Sequence, residues 1–298
     1  MKLAWWCEAL LVRAALAVLR ALGPVAASNL GGFIARSVGP LLPVSRVAVA
    51  NLAAALPELD SAARRRVMRG VWDNLGRTAG EFPHIAALRM DTPSGPGFEV
   101  AGQDVLRALK ARGGPAIFFS AHFGNWEVLP PVVARFGVGF ASMYRAAANP
   151  LVDQMIIKLR AAAMDGQVKL FAKGASGARA AVGHLAKGGY LGMLVDQKLN
   201  DGIEARLFGL RAMTAPALAA FALRYDCPVI GGYVERVGPA RFRLVAEAPL
   251  ALPRSGDRQA DIAVLTQMVN DRIEAWVRAR PEMWLWLHRR WPKDVVRI

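Results

Sequence analysis

Hydrophobic and polar positions follow two different patterns along this chain, and the change falls at the Pro- and Gly-rich residues 92–97. Before that segment the apolar spacing is helical. An N-cap signal at Asp60 opens one such helix, in which Val67, Val71 and Leu75 recur at every fourth position. The pattern therefore predicts a helical first third, which residues 92–97 separate from a second part of different periodicity.

Short apolar runs alternate with helical stretches in the second part of the chain. The runs predict strands at residues 115–120, at 190–195, from 228 onward and at 242–246. Helices are predicted at 176–187, at 215–224 and along a late helix through 262–276, which Pro281 ends. The alternation predicts an α/β fold, with a mixed sheet flanked by helices, after an N-terminal helical anchor.

The N-terminal 42 residues are apolar but interrupted. Glu8, Arg13 and Arg20 break the stretch 3–22, and the stretch 21–35 includes Pro24. Neither stretch is a clean span of about 20 apolar residues. The charges also make a poor match to the hydrophobic region of a secretory signal.

A helix through this N-terminal segment has a cationic stripe. At about 100° per residue, Lys2, Arg13 and Arg20 fall within about 20° of one another. Trp5 and Trp6 lie near the start of the helix, and tryptophan favours the membrane–water boundary. The pattern favours a helix that lies in the membrane interface. A tilted helix that spans the bilayer and a core helix of a soluble protein are the alternatives.

Composition narrows the class of protein. The chain has 298 residues, 54% hydrophobic and 20% charged, with a mean hydropathy of +0.26, which excludes a disordered protein, a collagen-like fibre and a small disulfide scaffold. Lysine and arginine number 38 against 23 acids, a net charge of +15. A chain both basic and apolar indicates an anionic membrane surface before nucleic acid. Two cysteines, Cys7 and Cys227, indicate a reducing compartment and hence the cytoplasmic side.

The candidate chemistry lies at residues 120–127. His122 directly follows a predicted strand, so it leaves the sheet at the edge where ligands of α/β folds collect. Glu127 falls in or near the first turn of the helix that follows. Across this strand–turn–helix junction the two side chains can meet, and the carboxylate would then fix the imidazole tautomer and leave the other ring nitrogen as a base.

The rest of the sequence supplies no covalent nucleophile for this base. There is no nucleophile elbow, no P-loop and no HExxH zinc pair. A histidine base without such a partner suits direct attack by a substrate hydroxyl. The alternative interpretation is a structural histidine at a helix start.

The segment from His122 to Glu127 resembles the His-four-residues-acid motif of glycerolipid-type acyltransferases. The whole chain resembles one branch of them, the Kdo-dependent lauroyl/myristoyl acyltransferases that act late in lipid A biosynthesis. Four further blocks carry the likeness in order: residues 143–151 with Arg160, residues 194–197, residues 207–214, and a C-terminal Trp-x-His-Arg-Arg signature at 286–290.

The resemblance implies an enzyme that moves a fatty acyl chain from acyl carrier protein to a hydroxyl of a lipid A precursor, an anionic glycolipid, at the cytoplasmic face of the inner membrane. It implies no metal and no bound cofactor. On the matching positions His122 would be the general base and Glu127 its orienting acid. The expected substrate-binding residues are Tyr144, Arg145, Arg160 and Asp196.

Several expectations follow for the rest of the molecule. The anchor is expected at 1–42 and the acyltransferase domain at 43–298, divided into a helical cap at 43–97 and the core at 98–298. The excess charge would meet substrate phosphates or the acidic carrier protein, with the basic residues of 64–69, Arg145, Arg160, Arg289 and Arg290 as candidates. An acyltransferase with another acceptor, such as a mannosylated phosphoinositide, and a non-catalytic membrane-lipid-binding protein are the alternatives. Nucleic acid, which only the charge suggests, is not expected as a partner.

Overall fold

A computed structural model describes residues 2–92, 94–166 and 168–297 of the chain. The helices are α1 Leu3–Val38, α2 Ser45–Ala55, α3 Ser61–Glu81, α4 Gln103–Arg112, α5 Leu129–Ala134, α6 Pro150–Ala163, α7 Ala175–Ala186, α8 Ala217–Tyr225 and α9 Arg258–Ala279. The strands are β1 Arg89–Met90, β2 Gly97–Ala101, β3 Ala116–Ser120, β4 Ala141–Tyr144, β5 Leu170–Ala172, β6 Tyr190–Leu194, β7 Ile203–Leu207, β8 Leu210–Thr214, β9 Val229–Gly238 and β10 Arg241–Ala246. Short 3-10 helices cover Gly39–Leu41, Phe82–Ala87, Trp126–Val128 and Pro281–Met283.

Eight strands form one mixed sheet in the order β1-β2-β10-β9-β3-β6-β4-β5, and β7 with β8 forms a separate hairpin. Among the described residues, β9 and β10 form the one antiparallel pair of the large sheet, and its other pairs are parallel. Strand β3 lies in the middle with every residue buried, as expected for an apolar run between parallel neighbours. The carboxyl ends of β3, β6, β4 and β5 consequently meet at one edge of the sheet.

The sheet separates two apolar cores. On one face lie α8, α9 and the C-terminal tryptophans, which include Trp276, Trp284 and Trp286. On the other face α4, α5 and the helix Phe82–Ala87 pack over Phe118 and Leu244. This arrangement matches the predicted α/β class, a mixed sheet flanked by helices.

Helix α1 consists of two helical segments joined at a kink, where Gly23 leaves the helical conformation just before Pro24. Beyond the kink it packs closely on α3. A Cβ on Gly31 would lie 2.2 Å from the carbonyl oxygen of Gly76, so the two backbones touch where neither residue has a side chain. By length and composition alone, Leu3–Leu41 is long and apolar enough to cross a membrane.

The main predicted elements are present. Helix α3 begins after Asp60, whose side chain accepts from the N–H of Ala63, as the N-cap signal predicts. The predicted strands correspond to β3, β6, β9 and β10, and the late helix is α9, which ends at Ala279 before Pro281. The boundary at 92–97 includes Pro93, which lies outside the described residues. The division into anchor, cap and core therefore stays a prediction.

Candidate functional site

The register of two neighbouring strands brings His122 and Asp196 together. Strands β3 and β6 run parallel with Ser120 opposite Leu194. Each residue of interest follows its strand by two positions, so both leave the sheet at the same level. His122 Nδ1 lies 2.8 Å from Asp196 Oδ1, and the backbone N–H of His122 donates to Asp196 Oδ2 at 2.9 Å.

Backbone contacts of Gly124 fix the conformation of the loop after His122. Gly124 has a φ of +58°, and a Cβ there would lie 1.6 Å from the carbonyl oxygen of Val234, so only glycine fits. Its N–H donates to the carbonyl of Met283, and its carbonyl accepts from Asn74 Nδ2 at 3.0 Å. The amide of Gly124 is therefore used inside the fold and faces no substrate.

Asp196 fixes the state of the imidazole. The carboxylate is fully buried and can only accept, so Nδ1 of His122 carries the proton and Nε2 remains free for chemistry. Burial would raise the pKa of Asp196, but the charge and hydrogen bonds of His122 hold that pKa well below its usual value. Burial would lower the pKa of His122, but the charge and hydrogen bond of Asp196, and then the charge of Glu127, raise it above its usual value.

The predicted contact between His122 and Glu127 is replaced by two others. Glu127 lies in the short helix after the loop, as expected, but its carboxylate binds Arg160 of α6 in a bidentate pair, at 2.9 and 2.7 Å. The hydrogen bond that sets the tautomer comes from Asp196 instead. The physical reason is competition: a guanidinium matches both carboxylate oxygens at once, whereas Asp196 is already level with the imidazole. Glu127 acts on His122 only through its charge.

A C-terminal segment covers the buried side of Asp196. Trp284 Nε1 donates to Asp196 Oδ2 at 2.8 Å, and His288 Nε2 lies 3.1 Å from the backbone oxygen of Asp196. The backbone of this segment also binds the loop, because the N–H of Leu285 donates to the carbonyl of His122. The sequence contains no signal that predicts a role for Trp284 itself. The C-terminal signature at residues 286–290 is the nearby pattern that indicates this region.

Arg290 does not serve as the substrate-binding cation that its charge suggested. Its side chain is fully buried and donates to the carbonyl of Met213 and to Thr214 Oγ1. Burial lowers its pKa to about 10, even though the charge of Asp196 acts in the opposite direction. Phosphate groups of a substrate cannot reach a guanidinium in this position.

A cavity of about 440 Å³ opens at the same edge of the sheet. His122, Glu127 and Arg160 lie on its wall with Tyr144, which ends β4. The deeper wall is apolar and belongs to the second of the two cores. It includes Phe118, Leu129, Val133, Phe140, Ile230 and Leu244. The imidazole therefore lies at the boundary between the polar mouth of the cavity and its apolar interior. A cavity with this division is typical of ligand-binding sites.

Basic side chains surround the cavity. Arg145, Lys173 and Lys198 belong to its lining together with Arg160. Within residues 2–92, 94–166 and 168–297, the first three form no salt bridge, whereas Arg160 is paired with Glu127. These free cations leave the mouth positively charged, which suits an anionic ligand or an acidic protein.

The remaining histidines have structural contacts. His84 Nε2 lies 2.9 Å from the carbonyl oxygen of Leu19 in α1, and His184 Nε2 lies 3.0 Å from that of Tyr190. In the described part of the chain no three His, Cys, Asp or Glu side chains gather in a group that could hold a metal ion. The arrangement as a whole offers an imidazole with one free ring nitrogen and, in the wall of the same cavity, a guanidinium that still has N–H groups to donate.

Two comparisons with known proteins bear on this site. A family model described as "Bacterial lipid A biosynthesis acyltransferase" matches residues 2–293, nearly the whole chain. A search of curated proteins gave no match.

Proposed function

This chain belongs to the bacterial lipid A biosynthesis acyltransferase family, and from that premise we propose that it moves a fatty acyl chain from acyl carrier protein to a hydroxyl of a lipid A precursor at the cytoplasmic membrane. The observation that carries the proposal is the His122–Asp196 pair at the mouth of an apolar cavity. Such a mouth can bring two substrates together. One is the acceptor, a sugar-linked fatty chain with a free hydroxyl, and the other is the donor, a thioester-bound acyl chain.

His122 acts as the general base. An alcohol is a poor nucleophile at neutral pH, and a positioned base that takes its proton accelerates attack by about 10²–10⁴-fold. Nδ1–H is held by Asp196, so Nε2 accepts the hydroxyl proton as the oxygen forms its bond to the thioester carbon. The buried negative charge of Asp196 stabilises the imidazolium that results. When the tetrahedral intermediate collapses, the carbon–sulfur bond breaks and the sulfur takes up the proton from His122 Nε2, which returns the imidazole to its neutral form.

Arg160 stabilises the oxyanion. Glu127 accepts from Nε and from one terminal nitrogen of Arg160, which leaves other N–H groups of the guanidinium to face the cavity. The ion pair holds the guanidinium in one orientation before the substrate arrives, as electrostatic stabilisation of a transition state requires. The amide of Gly124, the other natural candidate, is already bound to Met283.

The two ends of the cavity bind different parts of the substrates. Its apolar depth takes the acyl chain of the donor, since burying each methylene contributes about 0.8 kcal/mol. The polar mouth binds the anionic groups of the acceptor and the acidic surface of the carrier protein. Its side chains for this are Tyr144 and the free cations Arg145, Lys173 and Lys198.

An assay of the purified full-length protein tests the proposal. The protein is incubated in detergent with a panel of acyl-carrier thioesters of different chain length and with lipid A precursors, and the products are read by mass. We expect one precursor to gain the mass of one acyl chain. Transfer only to a different glycolipid would overturn the acceptor, and a folded protein that transfers no chain from any thioester would overturn the activity.

A further inference from the structure

The exposed apolar surface of this protein is concentrated at one place. Of the 18 large hydrophobic side chains that are exposed in the described residues, 15 lie between residues 3 and 49. They occupy α1, the short helix Gly39–Leu41, the turn after it and the start of α2, with Leu3, Leu11, Phe33 and Leu41 among the most exposed. A contiguous apolar surface of this size on a folded protein marks an interaction site.

Helix α1 keeps one side against the body of the protein before its kink as well as after it. The partly or fully buried residues of that first half recur at intervals of four and three and therefore share one side of the helix. They are Trp5, Ala9, Val12, Leu16 and Leu19. The side that faces away from the body carries Cys7, Leu11 and Val18, all exposed. Helix α1 is thus a flank of the protein, with one side packed and the other free.

Polar contacts fasten α1 to the body at both ends and in the middle. Near its start, Asn149, the N-cap of α6, donates to the carbonyl of Trp5 and to Glu8, each at 2.9 Å. In the middle, His84 contacts the carbonyl of Leu19. Near its end, Arg36 forms a salt bridge with Asp73 of α3 at 2.6 Å.

These contacts are incompatible with a helix that crosses the bilayer away from the body. Measured along the two segments of α1, Trp5 and Arg36 are 31 residues or about 46 Å apart, whereas the hydrocarbon core is about 30 Å thick. If α1 crossed, Asn149 and Asp73 would lie on opposite sides of the membrane with the sheet and its loops in between. Irregular backbone exposed to lipid does not occur there, because its polar groups would have no partner.

The charges around the apolar surface indicate what covers it. Residues 2–56 contain five basic side chains and a single acid, Glu8, which is bound to Asn149. The basic residues are Lys2, Arg13, Arg20, Arg36 and Arg46. A second copy of this surface would carry the same positive charge and would be repelled. An anionic leaflet offers hydrocarbon to the apolar side chains and phosphates to the cations at their edge.

We propose that α1, the helix Gly39–Leu41 and the start of α2 form an in-plane docking surface, seated in one leaflet of an anionic bilayer without crossing it. The inference deepens the proposed function and rests on its location at the membrane. It has a consequence for the site, because α1 packs on α6 and on the helix Phe82–Ala87, two elements that also line the cavity. Docking along α1 places the mouth of the cavity at the membrane surface, within reach of a lipid.

Depth measurements with nitroxide labels test this topology on the full-length protein in phosphatidylethanolamine–phosphatidylglycerol vesicles. Cys7 is a natural exposed attachment point, and Cys227 is buried and stays unlabelled. Two further labels use Val18→Cys and Arg13→Cys in a Cys7→Ser background, and Val264→Cys on α9 serves as the control on the body. Flotation with the vesicles verifies that each labelled protein is bound. Accessibility to oxygen and to a water-soluble nickel chelate then gives the depth of each label.

An in-plane helix gives labels 7 and 18 the same shallow depth in the acyl region, label 13 at the headgroups and label 264 in water. Residues 7 and 18 are about 16 Å apart along the helix. A crossing helix would therefore separate their depths by up to that distance and would place label 13 between them, and this result would overturn the proposal. Spin–spin broadening at 7 and 18 without contact with lipid would also overturn it, in favour of a second copy.

Acyl transfer, measured in the same vesicles, separates the two proposals. In-plane depths without transfer would refute only the proposed function. Transfer with a depth gradient would refute only the topology.

Discussion

The indole of Trp284 donates a hydrogen bond at 2.8 Å to Oδ2 of Asp196, the carboxylate oxygen that does not bind the imidazole of His122. Asp196 Oδ1 accepts from the imidazole and Oδ2 accepts from the backbone of His122. The indole thus supplies the only side-chain donor to Oδ2 in the described part of the chain. It prevents the carboxylate from rotating out of the plane in which it orients the base.

Trp284→Phe removes this donor and keeps an aromatic ring in place. A hydrogen bond to a charged group is worth about 1.5–3 kcal/mol, so we expect kcat to fall by roughly tenfold to a hundredfold with little change in KM. Trp286→Phe is the matched control, since Trp286 is equally buried but donates to the carbonyl of Pro281. Equal losses of kcat in both variants would mean that Trp284 acts only through packing.

Removal of the base or of its orienting acid is expected to cost about the same. His122→Gln leaves no group to accept the hydroxyl proton, and Asp196→Asn presents an amide that favours the wrong imidazole tautomer. We expect each variant to lose about 10²–10⁴-fold in kcat and the double variant to lose no more than the worse of the two. Rates with an acyl-carrier thioester provide the measurement, and circular dichroism provides the control for folding. Additive losses would show that the residues act independently.

The pH dependence of acyl transfer reports the charge around the base. His122 works when it is neutral, so the rate rises with pH through its pKa, which Asp196 and Glu127 hold above the usual value of about 6.5. Glu127→Gln removes one of these negative charges, so the pKa of His122 falls and the rising limb moves to lower pH. The readout is kcat/KM against pH for both proteins. An unchanged midpoint would contradict the influence of Glu127 on the base.

The sequence predicted the elements of the site better than their partners. His122 was expected at the end of a buried strand because the apolar run before it is short and bounded by glycines, and β3 confirms this. The strand–turn–helix junction and the resemblance both predict Glu127 as its partner. The true neighbour is Asp196, 74 residues away. That β3 pairs with β6 depends on how the intervening helices cross over the sheet, and no local pattern encodes it.

The same limit applies to α1 and to the buried arginine. The charges and Pro24 argue against a clean apolar span, but they do not show how α1 packs on the body. The glycines of α3 allow close packing after the kink, and His84 binds a carbonyl of α1 before it. Arg290 carries a charge that predicts exposure, yet tertiary packing buries it. Local periodicity thus predicted strands and helices, while long-range contacts decided the role of each charged side chain.

Glu127 and Arg160 form one unit, and a double-mutant cycle measures it. Glu127→Gln leaves the guanidinium unheld, and Arg160→Gln leaves the carboxylate without its cation. We expect each single variant to lose at least about tenfold in kcat/KM, which is about 1.4 kcal/mol. Because both remove the same oriented pair, the double variant should be no slower than the slower single variant. A product of the two separate losses would show that Arg160 acts without Glu127.

We expect the width of the cavity at Gly232 to determine which acyl chains fit. Gly232 lies on β9 in the cavity wall. A Cβ there would lie 3.9 Å from Leu129, an ordinary contact, and 3.3 Å from the carbonyl oxygen of Val245, a tight contact that requires the neighbouring strand to shift by a few tenths of an ångström. Gly232→Val would fill part of the apolar depth. Each methylene left unburied costs about 0.8 kcal/mol, so preference should shift to shorter acyl chains by about fourfold per excluded methylene.

The experiment compares kcat/KM for carrier thioesters of increasing chain length in wild type and variant. Gly183→Val serves as the control, because Gly183 is exposed on α7 with open space beside it and does not line the cavity. An unchanged chain-length profile in a folded Gly232→Val protein would mean that the acyl chain binds elsewhere. A shift in the Gly183→Val protein as well would show that the effect is indirect, because that side chain cannot reach the substrate.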